Sequence, residues 1–194
     1  SVGPRREFSE GSLGVSAEIL GSEYNAVEVA TIINQTKAAE MGFASRFGAR
    51  YSENHMGCGE GRLIRMIDAI ENAPEKSLIV IEEPETALHQ DAQHNLAVYF
   101  LKVCLRKRHQ IIVTTHSPAI VDVMPMEARK KVERTSTGTV VEDNPTIAEI
   151  IADLSNGHQK TLLIYVEDKF SKKLLVEVLR KFAPELLKAI SIAD

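Results

Sequence analysis

Cysteine, long apolar runs and surplus positive charge are all scarce in this sequence, and each shortage excludes a class of protein. Two cysteines in 194 residues, Cys58 and Cys104, do not make a disulfide framework, and a chain of this length folds without one. Both are read as reduced thiols. No window of about 18 uninterrupted apolar residues occurs, and the opening SVGPRREFSEGSLGV has no apolar stretch of the signal-peptide kind. A soluble, cytoplasmic protein with no membrane partner is therefore expected. Lys and Arg number 23 against 27 Asp and Glu, a formal charge of -4, which excludes a strongly basic nucleic-acid coat and confines any DNA contact to a local patch. Neither GxxxxGKS nor GxxxxGKT occurs, so the chain carries no phosphate-binding P-loop of its own. What it does have is apolar material, 44% of the residues, enough for one good core or two small ones. It starts at Ser1 without a methionine and stops at Asp194 directly after an apolar run, and it reads as a piece of something longer.

Residues 1–25, with four glycines and a proline, read as loop. Ala26, Val27, Val29, Ala30, Ile32 and Ile33 open a pattern that predicts a helix to about Met41. The glycine-dense turn Met56 to Arg62 leads into Leu63, Ile64, Met66, Ile67 and Ile70, one face of a helix that ends before Pro74. Leu78 to Ile81 is a continuous apolar run, as expected of a strand buried on both faces, with Glu82 and Glu83 at its C-terminal end. Asp91 to Arg108 is helical and Ile111 to Val113 is the next strand. Strand, helix and strand in this order form a right-handed parallel crossover, which brings both strand ends to one edge of the sheet and makes Glu83 and His116 neighbours. A hairpin is predicted over Lys131 to Glu142, a short helix over Thr146 to Leu154, and a linker at Asn156 and Gly157. Beyond it, Thr161 to Val166, Ser171 to Phe182 (Leu174, Leu175, Val178, Leu179 and Phe182 inward) and Ala189 to Ala193 open a second βαβ unit.

Two adjacent carboxylates where a buried strand leaves the core need a partner. A metal and phosphate site supplies one: in nucleoside triphosphatases the acid nearer the strand holds the Mg²⁺ shell and the next orients the attacking water. Glu82 and Glu83 suit those roles, the plain alternative being a solvated strand end capped by Pro84. His116 stands at the end of the neighbouring strand, before Ser117 and Pro118 as helix cap and first helical residue, and its imidazole can donate to a phosphate oxygen. Paired with Glu82 and Glu83, it outweighs the reading of a merely polar strand end. The turn Gly57, Cys58, Gly59, Glu60, Gly61 offers unshielded backbone N–H groups at a helix N-terminus, a natural phosphate site. His89 and His94 are wrongly spaced for two ligands on one helix face, and no zinc is proposed. The basic run Arg106 to His109 is accounted for by the dipole at a helix C-terminus.

MGCGEGR, LIVIEEPETALH and IIVTTHSP, in this order, resemble the signature motif, the Walker B motif with D-loop, and the switch histidine of ABC-class ATPases. The resemblance is to the group containing the OLD (overcoming lysogenization defect) family and the RecF and SMC proteins. It implies that Glu82 is the Walker B acid at Mg²⁺, Glu83 the catalytic base and His116 the γ-phosphate sensor. It further implies that Glu85 to His89 face the partner subunit. Gly57, Cys58 and Gly59 would reach ATP held by that subunit, with Gly61 and Arg62 completing the contact. Gly57 replaces the signature serine, and Glu82 stands where Asp is usual. Leu163 to Asp168 followed by an amphipathic helix is similar to the opening of a Toprim domain, in which Glu167 would serve a Mg²⁺-dependent (or Mn²⁺-dependent) DNA cleavage centre.

The fold class implied is α/β: residues 1–157 the C-terminal lobe of an ABC-type ATPase head, with a parallel sheet and flanking helices, and residues 158–194 the start of a truncated Toprim-like βαβ unit. The function implied is that of an OLD-like ATP-dependent DNA endonuclease acting in defence against phage. Its expected partners are a second copy sharing composite ATP sites, a Walker A lobe absent from these residues, DNA, and an effector protein. The rivals are a RecF-like or SMC-like repair ATPase without nuclease activity, and a nucleotide-gated scaffold for a separate effector. Without a P-loop, the 194 residues by themselves should bind ATP weakly or not at all. Calorimetry with Mg²⁺ at neutral pH measures this, and a Kd near about one micromolar would overturn the split-site reading.

Overall fold

Between Ala26 and Arg46 the chain forms two paired strands, the first of them rich in β-branched residues, and the helix expected over 26–41 is not there. In a computed structural model that describes residues 2–34, 37–154, 162–184 and 190–193, β2 (Ala26–Asn34) and β3 (Lys37–Arg46) pair antiparallel from Ala26↔Ser45 to Asn34↔Lys37. The six apolar positions satisfy either period, but Val27, Val29, Thr31, Ile32 and Ile33 stand more easily on a pleated surface. Val27 and Val29 are buried on one face and Glu28 lies on the other. The first 25 residues, expected as loop, also carry structure. β1 (Val2–Glu7) is an edge strand beside β2 that tolerates Pro4, and α1 (Glu10–Leu20) is capped by Ser9 through the Ser12 N–H and closed by Gly21 at φ 63°. β4 (Ala49–Ser52) completes a four-stranded antiparallel sheet in the order β1-β2-β3-β4.

Helix α2 (Cys58–Asn72) runs from the glycine turn between two apolar clusters. Ile64 joins Val27, Val29 and Ala44 of the sheet, whereas Leu63, Ile67 and Ile70 join Ile19 of α1 and Leu96, Tyr99, Phe100 and Val103 of α3 (Gln90–Lys107). Each such fully buried aliphatic side chain contributes about 1.5–3 kcal/mol. β5 (Leu78–Glu82) and β6 (Gln110–Thr114) are parallel, in register from Leu78↔Gln110 to Glu82↔Thr114, with α3 between them. Ile79, Ile81, Ile111 and Val113 pack against the second cluster. The opposite face is open: Leu78, Val80 and Ile112 are 62%, 68% and 55% exposed, so the expectation of a strand covered on both faces is corrected to one. α4 (Pro118–Val123) packs on α3.

The basic run at the C-terminus of α3 has a structural use. Lys107 caps the C-terminus of α2 through the Glu71 and Ala73 carbonyls, Arg106 pairs with the Glu71 carboxylate, and buried His109 accepts the Ser77 N–H at Nδ1.

The chain divides into two compact units, Ser1–Val123 and Met124–Asp194. The linker at Asn156 and Gly157 and the boundary placed near residue 158 lie outside the described residues. In the second unit β7 (Lys130–Thr135) and β8 (Gly138–Asp143) form the expected hairpin, followed by α5 (Ile147–Leu154). β9 (Leu162–Tyr165) and β10 (Ile190–Ala193) are parallel, with α6 (Lys169–Phe182) between them in sequence. The face of α6 read as inward is corrected: Leu174, Val178 and Phe182 are exposed and no described residue of the helix is fully buried. Among the described residues no helix is long and apolar enough to cross a membrane.

One charge pair ties the edge of the antiparallel sheet to α2. Arg6 donates from Nε (3.0 Å) and Nη2 (2.5 Å) to Oδ2 of Asp68, which is 3% exposed, and Asn72 donates to its Oδ1. The bonds it donates to Asp68 and Glu40 hold the Arg6 guanidinium's pKa even above its ordinary range. Replacing Arg6 with Met leaves a buried carboxylate without its cation. After discounting for the partly exposed guanidinium, the expected loss is about 2–3 kcal/mol, read as a lower urea midpoint at unchanged m-value. A loss below about 0.5 kcal/mol would show that the pair behaves as an ordinary surface bridge.

Candidate functional site

Because β5 and β6 run in parallel and in register, their C-terminal ends meet at one edge, with Glu82 opposite Thr114. The chain then turns sharply. Glu83 adopts φ 43°, a left-handed conformation that costs a non-glycine residue about 1 kcal/mol. Its N–H donates to the Thr114 carbonyl at 2.9 Å, and buried Pro84 follows. The turn sends the Glu83 carboxylate toward the neighbouring strand, where its Oε1 lies 3.5 Å from His116 Nε2, both side chains remaining open to solvent. Glu82 is exposed, and its carboxylate has no hydrogen-bond or ion-pair partner among the described residues.

The glycine turn lies at the same end of the fold, and its residues divide into two kinds. Gly57 and Cys58 are exposed at the start of α2, where Gly57 caps without a side-chain bond and the first amides have no intrahelical acceptor. Gly59 and Gly61 are buried packing positions. A Cβ on Gly59 would sit 2.4 Å from the Ala87 carbonyl oxygen, and one on Gly61 would sit 2.5 Å from Cγ of Glu53. Arg62 donates to the Glu82 carbonyl at 2.8 Å, joining α2 to the end of β5. Glu60 accepts the hydroxyls of Tyr24 (2.9 Å) and Tyr51 (2.8 Å), which anchors the turn to the antiparallel sheet.

Glu85, read as facing a partner, points inward and accepts from the Thr115 hydroxyl and the His116 N–H. Its signal was present, an acid two residues past the carboxylate pair opposite the polar run Thr114 to Ser117, but spacing alone does not aim a side chain. In the second unit Glu167 is exposed just past β9, and Asp168 caps α6 by accepting the Ser171 N–H at 2.7 Å, which holds its carboxyl below the usual range. Among the described residues no group of three or more His, Cys, Asp or Glu forms a metal-binding cluster.

The family model of the AAA ATPase domain matches residues 16–121, a span from α1 into α4 that contains the whole edge just described. No curated protein matches the chain. Among solved structures, one described as concerning ATP-driven dimerization and DNA-stimulated activation of SMC ATPases superimposes with a TM-score of 0.55 at 14% identity, covering 78% of this chain and 91% of that one. The Smc head domain with a coiled coil and joint from Pyrococcus yayanosii gives a TM-score of 0.51 at 14% identity, covering 76% of this chain and 28% of that one. At these identities the likeness is one of fold.

Burial raises the pKa of Tyr24, Tyr51 and Tyr99 first, and the neighbouring carboxylates Glu60 and Glu71 raise it further. A phenol whose pKa is higher folded than unfolded keeps its contribution below the ordinary value of about 10 and loses it as the unfolded chain ionises above that. Urea midpoints should therefore be insensitive to these tyrosines from pH 8 to 9.5 and fall steeply above about pH 10. Tyr24→Phe should flatten the fall; an equal fall in the variant would remove Tyr24 from the account.

Proposed function

The chain belongs to the AAA ATPase domain family, and from that premise we propose that it supplies the hydrolytic edge and signature turn of an ATPase head in an OLD-like ATP-dependent nuclease. The observation that carries the proposal is the 3.5 Å approach of His116 to Glu83 at the shared end of two parallel strands, beside an unpartnered Glu82. An exposed carboxylate without a protein cation suits a Mg²⁺–nucleotide complex, and the open amides at the start of α2 suit phosphate oxygens. Mg²⁺ bound with ATP neutralises the phosphate charge. Glu82 holds that ion, Glu83 orients a water and accepts its proton, and His116 donates to the γ-phosphate. Gly57 and Cys58 face the nucleotide of a second copy, in line with the ATP-driven dimerization named for the SMC relative.

The exposed face of Leu78, Val80 and Ile112 supports a further element of this reading, a lobe carrying the Walker A motif that covers the uncovered side of the parallel pair. DNA is the proposed substrate, with β9, α6 and β10 as the opening of a Toprim-like unit in which Glu167 serves the metal-dependent cleavage centre, the whole acting in phage defence. An SMC-like ATPase without nuclease activity is the second reading, favoured by the likeness of fold. Both are tested on the intact ATPase by phosphate release run beside plasmid nicking with Mg²⁺ or Mn²⁺. Glu83→Gln should retain ATP binding and slow hydrolysis at least about a hundredfold. Glu167→Ala should abolish nicking with hydrolysis within about threefold of wild type. Normal phosphate release by Glu83→Gln overturns the assigned edge, unchanged nicking by Glu167→Ala removes Glu167 from the cleavage centre, and phosphate release without nicking in the wild type favours the SMC-like reading.

A further inference from the structure

The His116 imidazole is 76% exposed, and besides Glu83 it meets no other side chain by hydrogen bond or ion pair among the described residues. Its place is therefore set by its backbone, and that backbone is held at two points. At the first, Glu85 Oε1 accepts the Thr115 hydroxyl at 2.8 Å and the His116 N–H at 2.7 Å, while Oε2 of the same carboxylate is buried without a partner. At the second, the Ser117 hydroxyl donates to Oε1 of Gln93 at 2.6 Å and accepts the Ile120 N–H at 3.2 Å, and Gln93 Nε2 donates to the Leu88 carbonyl at 2.8 Å. Thr115 joins the two points, because its Oγ1 accepts the Ser117 N–H at 3.0 Å. The segment 115–117 is thus tied at both ends to the segment 85–88, and the latter is wedged at Ala87 (φ 65°) by the close approach of Gly59.

We propose that Glu85, with Gln93 as second anchor, is a positioning residue that fixes His116 opposite Glu83. Its effect on turnover rests on the reading of His116 given above; its effect on the backbone does not. A charge-assisted bond to the His116 N–H holds the residue in one place before nucleotide arrives, so that the imidazole need not be ordered during the reaction. A carboxamide keeps the Oε1 acceptor, and a methyl group does not.

The test has two independent readouts. In the chain itself, Glu85→Ala should speed hydrogen exchange at the His116 amide at least about tenfold while amides in the cores of α2 and α3 keep their rates, and Glu85→Gln should restore protection to within about threefold of wild type. In the intact ATPase, Glu85→Ala should lower kcat at least about tenfold with KM for ATP within about threefold, and should add less than about twofold on a His116→Ala background. If Glu85→Ala does not fold, Thr115→Val, which removes one of the two donors, should raise the same exchange rate about threefold. Unchanged exchange at His116, or losses that multiply in the double variant, overturn the proposal. Faster exchange in Glu85→Ala together with normal turnover in His116→Ala leaves the anchor standing and overturns the catalytic reading of the histidine.

Discussion

Helix α2 is buried on two sides, and the arrangement of the first unit depends on that constraint. Ile64 is taken by the antiparallel sheet, and Leu63, Ile67 and Ile70 by the cluster shared with α1, α3 and the inner face of β5 and β6. A helix packed in this way cannot roll or slide without opening voids in both clusters, and close-packed interiors resist such voids. Its N-terminus is therefore delivered to a set place. There Gly59 meets the Ala87 carbonyl and Arg62 meets the Glu82 carbonyl. The geometry of the glycine turn relative to the strand end is thus decided by aliphatic packing further along the helix, with the Tyr24, Tyr51 and Glu60 contacts securing it from the sheet side.

Three acids lie within four residues at the end of β5, and the backbone sorts them. Glu82 ends the strand and points to solvent; Glu83, in a left-handed conformation, is turned toward His116; Glu85, two residues on, is turned back toward Thr115. Like charges so close in sequence would repel if they shared a direction. Divergent directions, a hydroxyl and a backbone amide on Glu85, and the imidazole near Glu83 relieve that repulsion. The left-handed residues Glu83 and Ala87 are uncommon conformations for their types, and they occur where the surrounding contacts over-determine the chain.

Legibility varied along the chain for reasons that can be named. The β5, α3 and β6 crossover was readable because a short apolar run, a long amphipathic stretch and a second apolar run leave little choice of topology. The β7 and β8 hairpin was readable from alternation around Gly138. The stretch from Ala26 to Met41 misled because its apolar residues fit both a helical and a pleated period, and only the pairing of Ala26 to Asn34 with Lys37 to Ser45 decided between them. The first 25 residues misled through their glycines, although Ser9 before Glu10 and Gly21 after Leu20 were the start and stop signals of α1.

By itself the sequence determined which chemical groups stand at the ends of the strands, their order, and the lack of a P-loop, since these are properties of residue identity and spacing. Parallel connectivity then makes Glu83 and His116 neighbours. Only the tertiary structure decided that Gly59 and Gly61 serve close packing while Gly57 and Cys58 stay open, that Arg62 is bound to a backbone carbonyl, and that one face of the parallel pair is bare. It also decided that Glu85 turns inward to hold the His116 backbone. The physical reason is one of range: periodicity and caps act over a few residues, whereas the direction of a side chain at a strand end depends on contacts with segments about 30 residues away, which no local pattern encodes.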